Sequence, residues 1–183
     1  MKKSLKNYCL LASPSIDDPF FAESVVYITK HNNNGAYGFV INKPADVDIK
    51  QLFEDLNLAN DHILPHAVLA AGPMRPDAGF VLHTGQPHYW QSSLAVTENI
   101  CLTTSKDILN ALAHNQLKHF QFMLGYCSWS KNQLEQELEN GDWFTCEADA
   151  EILFNLDYAE RYNYGYSKAN IHREWFVTEV GNA

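Results

Sequence analysis

A few groupings of residues in this chain have types and spacings that could do chemistry. Ser128-Trp129-Ser130-Lys131 matches S-x-x-K, the spacing at which a lysine one turn away activates a serine. Its companion motifs S-D-N and K-T-G do not occur. Ser130 as a helix N-cap beside a solvated Lys131 accounts for the same residues. A small hydrolase could use His83 or Cys127, with the thiol as nucleophile and a histidine as base. Yet Gly125-Tyr126-Cys127-Ser128 is not the G-x-S-x-G of a nucleophile elbow, and a buried structural thiol is the simpler reading.

The eight histidines offer no metal set. His62 and His66 enclose Pro65 and lack the glutamate of H-E-x-x-H, while His83 and His88 straddle Gly85 and Pro87. Gly35-Ala36-Tyr37-Gly38 resembles the GXXG loop of a KH domain, but it lies in a predicted hairpin and not between helices. Neither a P-loop nor G-x-G-x-x-G occurs, so nucleotide binding has no motif to rest on. The aromatic tail, with Tyr158, Tyr162, Tyr164, Tyr166 and Trp175 beside Arg161 and Arg173, could stack bases. Residues 151–183 carry a net charge of −2, and the stretch reads instead as a helix docking aromatics on the core, with a peptide or protein partner second. This reading assigns no catalytic residue, no metal and no cofactor.

Composition narrows the classes further. At 183 residues, 46% hydrophobic and 19% charged, the chain reads as one globular domain over residues 1–183. A net charge of −9 argues against direct nucleic-acid binding, whose footprint is a basic patch, and against docking on an anionic membrane. The start Met1-Lys2-Lys3-Ser4-Leu5-Lys6 imitates a signal peptide. The apolar run that follows, Tyr8 to Ala12, falls short of the roughly 7–15 residues a signal requires. A cytoplasmic protein is expected. Cys9, Cys101, Cys127 and Cys146 form no C-x-x-C pair and should be free thiols.

The elements that must position these residues are short. Residues 7–12 read as a buried strand, and Asp18-Pro19 starts a single helical turn. Residues 24–42 read as a hairpin turning at Asn32-Asn33-Asn34-Gly35, where Asn-Gly supplies positive φ. Asn42-Lys43-Pro44 ends that strand. Asp48 then caps a helix with Gln51 as its capping-box partner, and Ile49, Leu52, Phe53 and Leu56 form one stripe. Strands are predicted at 66–71, 79–83, twice within 93–103, at 119–126 and at 142–146. Helices should open at Thr104 or Ser105, at Ser130 and at Asp157, with Gly141 stopping the second. Strands outnumber helices, so an α+β fold with a bent, barrel-like, mostly antiparallel β core and flanking helices fits better than a doubly wound sheet.

Four segments carry a resemblance. They are Pro14-x-x-Asp17-Asp18-Pro19-Phe20-Phe21-x-x-Ser24-Val25, then His31-Asn32-x-x-Gly35-Ala36-x-Gly38-x-Val40-Ile41-Asn42-x-Pro44, then Gly72-Pro73-x-x-Pro76-Asp77-x-Gly79-Phe80-Val81-Leu82-His83, and finally Leu124-Gly125-Tyr126-x-x-Trp129-x-x-x-Gln133-Leu134-Glu135. With Trp143, Ile152-Leu153-Phe154 and Glu160-Arg161 in order, the chain resembles the YqgE/AlgH family of bacterial cytosolic proteins, also called UPF0301. The resemblance implies one α+β domain around a barrel-like β core, and no established activity. Members are often labelled transcriptional regulators, yet nothing in this chain reads as a helix-turn-helix with a basic recognition helix. Cys127 falls where members usually carry alanine, which weakens a thiol mechanism.

The function expected is that of a non-enzymatic binding or regulatory protein acting through an unidentified protein or small-molecule partner. Its candidate ligand residues stand where strands end: His31, Asn42, Gly72, Pro73, His83, Gly125, Trp129 and Gln133. Glycines there admit a ligand to the backbone, and His or Asn orients it. The alternative is that the same residues set turns and satisfy buried polar groups.

Overall fold

The computed structural model describes residues 3–59, 62–172 and 176. Along the chain run β1 (Tyr8–Ala12), β2 (Val25–Asn32), β3 (Gly35–Val40), β4 (Pro44–Asp48), α1 (Ile49–Asp55), β5 (Ala67–Ala70), β6 (Met74–Thr84), β7 (Ser93–Ala95), β8 (Ile100–Thr103), α2 (Asp107–Ala113), β9 (Phe120–Ser130), α3 (Gln133–Glu139), β10 (Trp143–Glu147) and α4 (Tyr158–Lys168). The fold is α+β with a mostly antiparallel sheet and flanking helices, as expected. One pairing, β5 with β9, is parallel. The chain divides into two compact units, Met1–Asn42 with Cys127–Ala183, and Lys43–Tyr126.

In the first unit the strand order is β10-β1-β2-β3, followed by residues 127–130 of β9. Val25, Val26, Tyr27 and Ile28 of β2 are all fully buried, so both faces of this strand are covered, and its β-branched and aromatic run suits that position. The aromatic helix α4 docks as predicted: the Tyr162 and Tyr166 hydroxyls donate to the Ala12 carbonyl at 2.6 and 2.7 Å. Arg161, 1% exposed, donates to the Ile41 and Leu156 carbonyls at 2.7 and 3.1 Å. Burial lowers its pKa to about 10. Arg161 therefore closes orphan carbonyls inside the unit and offers no stacking plane to a base. Arg173 and Trp175 lie outside the described residues.

The hairpin forms, but its turn differs from the sequence reading. Asn32 pairs with Gly35, leaving Asn33-Asn34 as the loop, and neither has a positive φ. Gly35, at φ +125, is required for another reason: a Cβ there would sit 2.1 Å from the Trp129 carbonyl oxygen on β9. The glycine allows β3 to approach β9, a long-range contact that no local pattern records.

The second unit contains β7, β8, β6, residues 120–126 of β9, and then β5 and β4. Its core joins Ile49 and Phe53 of α1 to Ile108 and Leu112 of α2 over Val68, Val81 and Phe122. Asp48 caps α1 as predicted, accepting from the Gln51 backbone at 2.9 Å. The return bond of the capping box is absent, because the Gln51 side chain donates to Asp55. Helix α2 begins at Asp107, later than predicted, since Thr104 donates its hydroxyl to Ser92 and Ser105 donates to the Asp107 carboxylate. A strand at Pro44–Asp48 was not expected. Proline is tolerated there because β4 is the outer strand of its pair, and only Pro44 and Asp48 keep register with β5.

Candidate functional site

Each unit gathers polar side chains, and the two gatherings differ. In the first, α3 lays Gln133 and Glu137 one turn apart. Glu137 accepts the Trp129 and Trp143 indole N–H groups on one oxygen, at 2.7 and 2.8 Å, and the Gln133 amide on the other, at 2.9 Å. Gln133 Oε1 in turn accepts the Ser130 backbone N–H at 2.9 Å. The indoles meet edge to face, 6.2 Å apart. His31 is held at both nitrogens: Nδ1 accepts the Leu5 amide at 2.9 Å and Nε2 faces Glu135 at 3.1 Å. Asn42 stands apart, accepting Val25 N–H and donating to the Glu23 carbonyl. Every group in this cluster is engaged inside the unit.

In the second unit Gly72 and Gly125 touch backbone to backbone. Gly125, at φ +73, would carry a Cβ only 2.3 Å from the Gly72 carbonyl oxygen. Pro73 follows on the exposed side. His83 has no exposed surface. Its Nδ1 lies 3.2 Å from the Thr84 carbonyl, its Nε2 2.8 Å from Thr103 Oγ1, and that hydroxyl is 2.7 Å from Ser93 Oγ. Trp90 packs edge-on against the imidazole at 4.6 Å. Burial lowers the His83 pKa from its ordinary value, opposed by the bond to Thr84.

Beside this network lies a cleft of about 210 Å³. Its apolar walls are Leu52 and Leu56 of α1, Val81 of β6, Ile108 and Leu109 of α2, and Phe122 and Leu124 of β9. Asp77, Thr103, Thr104, Ser105 and Lys106 supply its polar side. Thr104 and Ser105 already bond within the unit. Asp77 and Lys106 have no side-chain hydrogen bond or ion pair among the described residues.

Four of the eight residues singled out in the sequence, His31, Asn42, Trp129 and Gln133, therefore fall in the first unit, and Gly72, Pro73, His83 and Gly125 in the second. Trp129 and Gln133 converge on Glu137, and Gly72 meets Gly125. None of the eight lines the cleft, although Thr103, the partner of His83, does. Glu137 was legible as the i+4 neighbour of Gln133 on the predicted helix. Lys106 was not, because an isolated loop lysine carries no pattern. Cys127 is 2% exposed, and burial pushes its thiol up to about 12, the reverse of an activated nucleophile.

Comparison with known proteins is consistent across three kinds of match. The family profile described as AlgH-like matches residues 9–173. A UPF0301 protein of Psychrobacter cryohalolentis is 40% identical over 186 residues, spanning 100% of this chain and 99% of its own. One from Shewanella oneidensis is 38% identical over 187 residues, spanning 99% and 100%. The solution structure of the AlgH protein from Pseudomonas aeruginosa matches with a TM-score of 0.78 at 33% identity, covering 100% of this chain and 98% of that one. A crystal structure of a Corynebacterium diphtheriae protein, at 21% identity and a TM-score of 0.65 over 82% and 79% of the two chains, shares the fold.

Proposed function

The chain belongs to the AlgH-like family of UPF0301 proteins, and we propose that it acts as a small-molecule binding protein without chemistry of its own, through the cleft of the second unit. One observation carries this reading: apolar residues from four elements line a cleft beside two charges that have no partner among the described residues. Concave apolar surface with few convergent polar groups is the general form of a ligand site. His83 belongs to the site through Thr103, as the buried support of its inner wall. The other seven candidate residues set turns and packing, which their internal hydrogen bonds and backbone contacts support.

A hydrolase reading is less well supported. Cys127 is buried with a raised pKa, and the hydroxyl held by His83 is that of Thr103, itself without exposed surface. Neither group presents exposed surface to a reacting carbonyl. Direct DNA binding is also less well supported. Among the described residues, α2 and α3 carry no basic residue, and on α4 Arg161 is buried while Lys168 pairs with Asp149. Any regulatory role therefore runs through the bound molecule or a partner protein. A cytoplasmic setting agrees with four free cysteines, and none of the described helices is long and apolar enough to cross a membrane.

The test is a titration of the full chain with isopentanol, followed by amide chemical shifts. Shifts should cluster at Leu52, Val81, Ile108 and Phe122. Shifts centred on the Trp129 cluster, or none at all, would reject the cleft as the site.

A further inference from the structure

The cleft's two charges without a partner among the described residues have opposite signs and stand close in the topology. The β6/β8 ladder pairs Thr84 with Ile100, His83 with Cys101, Leu82 with Leu102 and Val81 with Thr103. In that same direction β6 descends to Asp77 and the chain after β8 rises to Lys106, so both charges emerge at one end of the ladder. Both line the cleft, yet they do not pair with each other. The volume of about 210 Å³ equals the liquid volume of about seven waters. That holds a molecule of amino-acid size and is below the range of about 300–1,000 Å³ typical of drug-sized ligands.

We infer that the cleft takes a free apolar α-amino acid: its side chain lies against Leu52, Val81, Ile108 and Phe122, its carboxylate meets Lys106 and its ammonium meets Asp77. The inference rests on the reading of the cleft as a binding site. An uncharged apolar molecule would leave both charges unanswered. A simple anion would be drawn to Lys106 and repelled by Asp77, and a simple cation would meet the converse. Only a zwitterion with an apolar arm answers both charges and the wall together. A peptide N-terminus brings the ammonium without a neighbouring carboxylate and leaves Lys106 unmatched.

The test uses the full chain and four probes of one shape: L-leucine, isovalerate, isopentylamine and isopentanol. Amide shifts locate binding and calorimetry ranks it. Leucine should bind roughly tenfold tighter than either singly charged probe, a step of about 1.4 kcal/mol. Lys106→Ala should bring leucine down to the level of isopentylamine, and Asp77→Asn to that of isovalerate. Both variants should keep the parent's urea midpoint and the Trp129 and Trp143 indole N–H resonances, which shows that they fold. If isopentanol moves the cleft resonances and leucine binds no tighter, the amino-acid assignment falls and the cleft reading stands. If none of the four moves those resonances, both fall.

Discussion

The Trp129 cluster of the first unit and the cleft of the second treat polar groups in opposite ways. Around Trp129 in the first, two indoles, an amide and a carboxylate answer one another, and a histidine is held at both nitrogens. At the cleft of the second, a carboxylate and an ammonium stand without partners among the described residues, beside apolar walls. A closed network of buried donors and acceptors makes geometry unique and leaves nothing for a ligand. An open apolar surface with unanswered charge does the reverse. On the proposed reading, motif residues in the first unit serve as architecture and the capacity to bind lies in the second.

The sharpest way to break that contrast is to remove the acceptor at its centre. Glu137→Leu leaves the buried indole N–H groups of Trp129 and Trp143 and the Gln133 amide without their partner. At about 1–3 kcal/mol for each buried orphan, a loss of about 3 kcal/mol is expected, read from urea denaturation. Isopentanol binding at the cleft should survive in the folded fraction. A loss below about 1 kcal/mol would mean that the Trp129 cluster is not a closed structural hub.

Next in size is Gly35→Ala, which drives a Cβ into the Trp129 carbonyl and adds an unfavourable positive φ. About 2–3 kcal/mol should be lost. Gly141 gives a comparison without the clash, at φ +79, nearer the left-handed region, with nothing within 4 Å of its Cβ position. Gly141→Ala should cost about 1 kcal/mol, the backbone part alone. Equal losses at the two sites would show that the approach of β3 to β9 does not require glycine.

Much of this fold was legible in the sequence because it is written in local terms. The Asp48 cap, the Val25-Val26-Tyr27-Ile28 strand and the docking of Tyr162 and Tyr166 follow from spacing and residue type. What could not be read depends on partners far along the chain. Gly35 looks like a turn residue until Trp129 lies against it. Ser130 looks like an N-cap, but the cap position falls to Asn132 at φ +65, and the Ser130 amide is answered by Gln133 instead. At the sites the same limit applies more severely. Trp129 and Gln133 were singled out, and they converge as one cluster because a helix places Glu137 between them. Asp77 appeared only within a motif, and Lys106 had no signal. The role proposed for them rests on their standing unpaired among the described residues beside an apolar wall, which no sequence pattern encodes.

A smaller effect follows from His83. Burial holds its folded pKa below the ordinary 6.5, opposed in part by the bond to Thr84. As pH falls through 6.5, the unfolded chain takes up a proton that the folded imidazole refuses. Stability is therefore greatest above 6.5, falls on acidification, and levels off below the folded pKa. Urea midpoints at about pH 7.5 and 5.5 for the parent and for His83→Asn read this directly. The parent should lose more stability than the variant on acidification. Parallel losses would mean that His83 titrates as freely when folded as when unfolded.

The smallest effect on stability should come where the largest effect on binding is expected. Gly79 lines the cleft, is exposed, and has no positive φ, so a side chain is compatible with its backbone. A Cβ there would meet the buried Phe122 ring at 3.3 Å, so that ring must give by a few tenths of an ångström. Gly79→Val should cost about 1 kcal/mol or less. Its branched side chain would occupy space beside Phe122 that isopentanol or leucine needs, so binding of both should be lost. The indole N–H resonances of Trp129 and Trp143 should stay where they are, since their partners lie wholly within the first unit. If the variant still binds isopentanol with parent affinity, the apolar wall at Phe122 is not the surface that receives it, and the division between a closed unit and an open one loses its functional half.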